Sequence, residues 1–242
     1  MARLTRVITG GYISGFRPEP VATPTVTVPF TETWTGADNP NALDGDFLWN
    51  DFIGTHQWSR VSNTARLFGA TSVAQGGYLN NNCGTDDVAV TLTYPVYSPG
   101  TNTLSAGPLV RMSGTVNFTG YCATVVSSGG ASNLMLLRFL AGVQTQLPAG
   151  QPISIPVTPH AGMTVGVSAL GSRIRAQFDG NTRIDLIDGG IPAGHYVGLQ
   201  GFNDGTGDVV VDNLVARSSA ARAVVPLEML TLQPMDALAG VH

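Results

Sequence analysis

The sequence predicts an all-β fold, a two-sheet antiparallel sandwich with extended N- and C-terminal arms. Three observations carry this. Of 242 residues, 30 are Gly and 15 are Pro, and only 12% are charged against 43% hydrophobic. An average globular chain is about 25% charged and about 7% Gly, so the balance is that of strands and turns. Short alternating segments recur between clusters of Gly, Asn, Asp and Pro. Helical periodicity is nearly absent, and Ser219 to Leu230, the one weak stretch, is interrupted by Pro226.

Residues 1–28 read as an extended arm, because Thr, Val and Gly with Pro18, Pro20 and Pro24 favour polyproline II and edge conformations. Its apolar residues Leu4, Val7, Ile8, Tyr12, Ile13 and Phe16 are the candidate anchors for a partner. Residues 29–217 form the sandwich. Eleven strands are expected: 60–68, 88–97, 105–113, 120–126, 134–141, 153–157, 163–170, 173–178, 182–187, 195–202 and 209–216. The clearest local signal is a hairpin, in which Arg173 to Phe178 alternates and Asp179, Gly180 and Asn181 turn the chain into Thr182. Many strands, each with one polar face, call for two packed sheets, since one open sheet of that size would curl. Residues 218–242 form a second tail, with Val224, Leu227, Met229 and Leu232 as candidate anchors.

Charge excludes some partners. The chain has no Lys, and its twelve Arg face thirteen Asp and three Glu for a net charge of -4. Without a basic block, no nucleic-acid footprint is expected. Apolar runs such as Leu134 to Leu137 fall far short of the ~20 residues of a spanning helix, so no membrane insertion is expected. Met1 to Gly11 lacks an apolar stretch, does not read as a signal peptide, and implies cytoplasmic synthesis. Cys83 and Cys122 lack zinc spacing. They read as two buried thiols, or as one bridge if their segments adjoin and the protein ends up outside a cell.

Several short motifs recur in order: Phe30 to Trp34, Leu43-Asp44-Gly45, Trp49, Trp58, then Asn63, Ala65 and Arg66. Gly107 to Arg111, Tyr121 to Val126 and Leu136 to Phe139 follow, and Ile174 to Gly180, Gly198 to Gly201 and Val211 to Leu214 close the series. Over residues 30 to 217 this order resembles the concanavalin A-like (LamG/laminarin-type) jelly-roll domains of bacteriophage virion proteins. The resemblance implies a jelly-roll sandwich and a non-enzymatic virion structural protein, synthesised in the host cytoplasm: a capsid decoration, minor capsid or tail-associated protein. Its arms would dock on other virion proteins, major capsid or tail subunits, in a homo-oligomer. The alternative is a carbohydrate-binding module that attaches a particle to a host-surface glycan.

The residues for other chemistries are sparse. Glycoside hydrolysis needs two carboxyl groups flanking the bond, and the three glutamates, Glu19, Glu32 and Glu228, lie outside the expected inner strands. The histidines are dispersed, and no nucleophile elbow is present. Related sandwich domains sometimes bind calcium near their first and last strands, which makes Asp44, Asp46, Asp204, Asp208 and Asp212 the candidate Ca2+ ligands. Local Asx turns are the competing reading of those aspartates. Trp34, Trp49 and Trp58 are expected in the core, with a sugar-stacking platform as the alternative. Tyr78 with Asn80, Asn81 and Asn82 is the candidate glycan loop.

Overall fold

The structure is a computed structural model that describes residues 28–39, 43, 46–47, 49–53, 58–67, 75–79, 82–113, 118–204 and 207–219. The anchors proposed in both terminal arms lie outside these residues. Among the described residues sixteen strands form two antiparallel eight-stranded sheets. The chain passes repeatedly from one sheet to the other, which is the jelly-roll arrangement.

The first sheet contains β1 (Phe30–Glu32), β3 (Trp58–Val61), β4 (Thr64–Leu67), β6 (Val88–Ser98), β12 (Met163–Leu170), β13 (Arg173–Phe178), β14 (Asn181–Ile187) and β16 (Asp208–Ser218). Its order is β14-β13-β12-β6-β16-β4-β3, with β1 also pairing β16. The second contains β2 (Trp49–Ile53), β5 (Gln75–Leu79), β7 (Leu104–Ser113), β8 (Thr119–Ser128), β9 (Ala131–Leu140), β10 (Val143–Gln146), β11 (Ser154–Pro156) and β15 (Tyr196–Asn203). Its order is β10-β9-β8-β7-β15-β5-β2, with β11 also pairing β9.

Four hairpins turn on two residues that both have positive φ: Ser62-Asn63, Gly129-Gly130, Ala141-Gly142 and Asp179-Gly180. This is the type I′ turn, whose twist matches that of the flanking strands. It confirms the hairpin expected at Asp179-Gly180. It also divides the single strand expected over 60–68, because Val61 pairs with Thr64 across Ser62-Asn63. Asn tolerates the left-handed region, and Ser62 is held by its backbone N–H donating to the Asp38 carboxylate at 2.7 Å.

The main core lies between the sheets and includes Trp34, Trp58, Leu92, Tyr94, Val110, Tyr121, Leu136, Val165, Leu199 and Leu214. Trp34 stacks on Trp49 at 5.8 Å, and all three tryptophans are buried, which answers the alternative of a sugar platform. A second, smaller cluster covers part of the outer face of the second sheet: Tyr78, Leu109, Met112, Phe118, Cys122, Leu137 and Phe139. β7 and β8 are therefore buried on both faces along most of their length. Cys83 belongs to the first cluster and Cys122 to the second, and both are free thiols, so the two segments do not make a bridge. Burial pushes the Cys83 thiol up to about 11 and the Cys122 thiol further still.

Two charged side chains organise the edges of this core. Arg111 sits at a bulge of β7 with φ 53°, and its side chain is only 2% exposed. A bulge re-aims a side chain, and here the guanidinium reaches two inter-sheet crossovers. Nε donates to Asp86 O at 2.9 Å, Nη1 to Ile191 O at 2.9 Å and Nη2 to the Asp87 carboxylate at 3.0 Å. The Asp87 carboxylate is shared, since it also accepts from Gly171 N–H, while the Asp86 carboxylate, beside the carbonyl that Arg111 holds, accepts from Gly194 N–H.

Glu32 is fully buried at the end of β1. One oxygen accepts from Trp34 N–H and Asp46 N–H, the other from Phe47 N–H and the Trp49 indole. Burial pushes this carboxyl up, and the four N–H donors pull it down. Glu32→Gln preserves shape but turns an NH2 toward two donors, so it should cost about 2–3 kcal/mol. A lower urea midpoint with an unchanged denaturant slope is the expected result.

Candidate functional site

The outer face of the second sheet is divided in two. At one end the Tyr78–Phe139 cluster covers it, with Tyr78 edge-on to Tyr196 at 5.4 Å and Phe118 against Phe139 at 4.6 Å. At the other end the face opens into a groove of about 480 Å³. Its lining comes from five neighbouring strands: Gln200 and Phe202 of β15, Ser105 of β7, Thr124 and Val126 of β8, Met135 and Leu137 of β9, and Gln144 and Gln146 of β10, with Thr103 at the rim.

Strand periodicity explains the selection. Alternate residues of a strand face the same side, so the inward Leu104, Ala106, Val125, Leu134, Leu136 and Leu199 leave their neighbours outside. Register then sets them in rows. Phe202 pairs with Ser105 and Ser105 with Val126; Gln200 pairs with Gly107, and Thr124 with Met135; Leu137 pairs with both Cys122 and Gln146. Gly107 lies level with Thr124, between the pairs Ala106–Val125 and Leu109–Cys122.

The floor is polar but almost dry: Thr124 is fully buried, Gln200 is 3% exposed and Ser105 is 7% exposed. The Cys122 thiol donates to the Gln200 side-chain carbonyl at 3.8 Å. The Gln146 amide donates to Ile153 O and to Ser154 Oγ, both at 3.0 Å, which fixes that side chain on the rim. None of these ten lining residues carries an ionisable side chain. The groove therefore offers amide and hydroxyl hydrogen bonds beside the apolar surfaces of Phe202, Val126, Met135 and Leu137.

The residues expected from sequence to bind a ligand are mostly elsewhere. Tyr78 is 8% exposed and packed in the outer cluster, so it presents no open stacking face. The Asn82 side chain accepts from Gly84 N–H at 2.7 Å, an Asx turn, while Asn80 and Asn81 lie outside the described residues. The described aspartates of the expected calcium site, Asp46, Asp204, Asp208 and Asp212, do not converge as a metal-holding group. Asp208 makes a bidentate pair with Arg66 at 3.0 Å, and Asp212 accepts from Asn213 N–H at 2.7 Å. Burial pushes the Asp212 carboxyl up. Asp46 accepts from Thr33 and from the Thr35 hydroxyl, Asp204 is exposed after β15, and Asp44 lies outside the described residues. Among the described residues no group of three or more His, Cys, Asp or Glu side chains converges as a metal site. Asp46, Asp208 and Asp212 each spend carboxylate oxygens on hydrogen bonds to near neighbours.

Asp185 in β14 and Asp188 just after it are also engaged. Asp185 is held below the usual range by the side-chain hydrogen bond from Arg173. Asp188 accepts from Tyr121 Oη at 2.6 Å and from Arg138 at 2.8 Å, tying the β14–β15 crossover to the second sheet.

Sequence reasoning missed the groove residues. Gln144 and Gln146 at alternate positions of a short strand were the available signal, since two amides on one strand face project together.

No protein-family model matches the chain, and no curated protein matches it. Solved structures do. The carbohydrate-binding module CBM66 from Bacillus subtilis aligns with a TM-score of 0.57 at 15% identity, covering 81% of this chain and 100% of that one. The CBM2 module of the Lactobacillus casei BL23 phage J-1 evolved Dit aligns with a TM-score of 0.53 at 6% identity, covering 78% of this chain and 94% of that one. At these identities the likeness establishes a shared fold.

Gly107, between Gln200 and Thr124 in the register, packs tightly against the backbone of the neighbouring strand. A Cβ there would overlap the Ala123 carbonyl oxygen and stand 2.8 Å from Thr124 Cα. Gly107→Ala should therefore destabilise by roughly 3 kcal/mol or more, through overpacking and backbone displacement. Thermal unfolding should show a midpoint lower by several degrees; an unchanged midpoint would mean the strands yield freely.

Proposed function

We propose that this chain is a non-catalytic carbohydrate-binding domain whose site is the groove on the outer face of the second sheet. The observation that carries the reading is the lining: buried amide and hydroxyl groups between apolar side chains, with the partly exposed ring of Phe202 at one side. Sugars present the same mixture, hydroxyls at the ring edge and C–H groups on the faces. A few convergent polar groups in a concave, mainly apolar site are what orient a small ligand. The likeness to a carbohydrate-binding module from Bacillus subtilis supports the reading.

Glycan-array screening followed by titration calorimetry tests it. Phe202→Ala should weaken binding by about five- to tenfold, the loss of one aromatic contact of ~1 kcal/mol. Unaltered affinity in that variant would remove the groove from consideration.

A second reading, compatible with the first, assigns the domain to a bacteriophage virion as a capsid decoration, minor capsid or tail-associated protein. Its support is the likeness to a module of a phage Dit protein. In this reading residues 1–28 and 218–242 dock on neighbouring virion subunits, and the groove faces a host-surface glycan. Light scattering should then find a homo-oligomer that becomes a monomer when residues 1–28 are deleted. A monomer in both cases would count against assembly through that arm.

A further inference from the structure

We infer that the groove takes an internal stretch of an uncharged glycan chain, laid across the strands, and discriminates against acidic sugars. The inference rests on the glycan reading of the same groove and adds the class of ligand.

Length comes from the sheet. The lining spans β15, β7, β8, β9 and β10, which is four inter-strand spacings. At about 4.8 Å each these make roughly 19 Å. Phe202 and Gln200 stand at one side, and Gln144 and Gln146 at the other, with Thr124 between them. A single sugar ring reaches groups from only about two adjacent strands at that spacing. Recognition spread over five strands therefore favours several linked rings, and affinity should rise as rings are added.

Charge selectivity comes from the lining chemistry. The amides of Gln144 and Gln200, the side-chain carbonyl of Gln146 and the Ser105 hydroxyl can between them pair with sugar hydroxyls in both directions, as donor and as acceptor. A uronate or sulfate laid on the same floor would lose water and meet no cation, because a buried charge needs a paired partner. Arg138, on β9 between the lining residue Leu137 and Phe139, is committed to Asp188. With no titrating group in the lining, binding should also be indifferent to pH across the neutral range.

The experiment uses the full chain. Calorimetric titrations would employ dextran, laminarin, levan and galactomannan, size-graded oligosaccharides of each, and polygalacturonate and hyaluronan as acidic counterparts. The expected result is binding of at least one neutral polymer, at least tenfold tighter for a tetrasaccharide than for its monosaccharide. That affinity should change less than twofold between about 0.05 and about 0.5 M salt. Gln144→Ala, at an exposed rim position, should weaken the tetrasaccharide and spare the monosaccharide. Equal affinity for one ring and four, or groove-dependent binding of polygalacturonate or hyaluronan that fades with salt, overturns the inference while leaving a glycan site in place. Binding of no polymer, or binding unaltered in both Gln144→Ala and Phe202→Ala, overturns the underlying glycan reading and the inference with it.

Discussion

The buried guanidinium of Arg111 is the constraint on which the end of the sandwich depends. An ion of this size, once taken from water, costs several kcal/mol unless its donors are met, so its partners must hold fixed positions. They come from the segment before β6 and from the segment joining β14 to β15, two of the crossovers that link the sheets. Asp87 then receives Gly171 N–H from the β12–β13 turn, and its carbonyl receives Ser219 N–H just beyond β16. One side chain on the second sheet thus sets the spacing of four segments. The close approach of Gly194 to the Arg111 carbonyl, where a Cβ would stand 2.9 Å from Arg111 Cα, belongs to the same construction.

The second sheet departs from the usual sandwich economy of one buried and one wet face. Its outer side carries a local apolar cluster at one end and a shallow polar-floored groove at the other, with Leu137 common to both. The cluster flanks the groove with rigid packing, and the main core lies behind the groove floor. Buried side chains held by neighbours on all sides keep their rotamers, and Gln200 beside the Cys122 thiol is such a case. A binding surface built on strands, with its floor anchored from behind, needs little ordering when a ligand arrives, which is the advantage of preorganisation.

The legible parts of the sequence are those where one face is wet. β6 and the β12–β13–β14 meander alternate cleanly, and their polar residues reach solvent. β7 does not alternate because both faces are covered, and its near-continuous burial hides the outward set. Short strands such as β1 and β10 were missed, since three or four residues carry too little pattern and are held by register to longer neighbours. The groove was illegible for a different reason. Ser105, Thr124 and Gln200 look like ordinary outward positions, and only the register of strands nearly a hundred residues apart sets them side by side. The aspartates stand out in the sequence as charges, and in the fold Asp208 pairs with Arg66 while Asp212 accepts from Asn213 N–H.

The position of β16 bears on how the protein is made. It is the last strand of the described chain and yet sits inside the first sheet, bonded to β6 on one edge and to β4 and β1 on the other. Until it leaves the ribosome, β6 and β4 have bare edges, and the first sheet exists only as separate pieces. The second sheet is less dependent on late synthesis, because β7 to β10 follow one another and pair as neighbours. Bare edges are templates for pairing with other chains. A nascent chain of this topology is thus most exposed to aggregation just before β16 emerges, and insertion of that one strand removes the hazard on both sides at once.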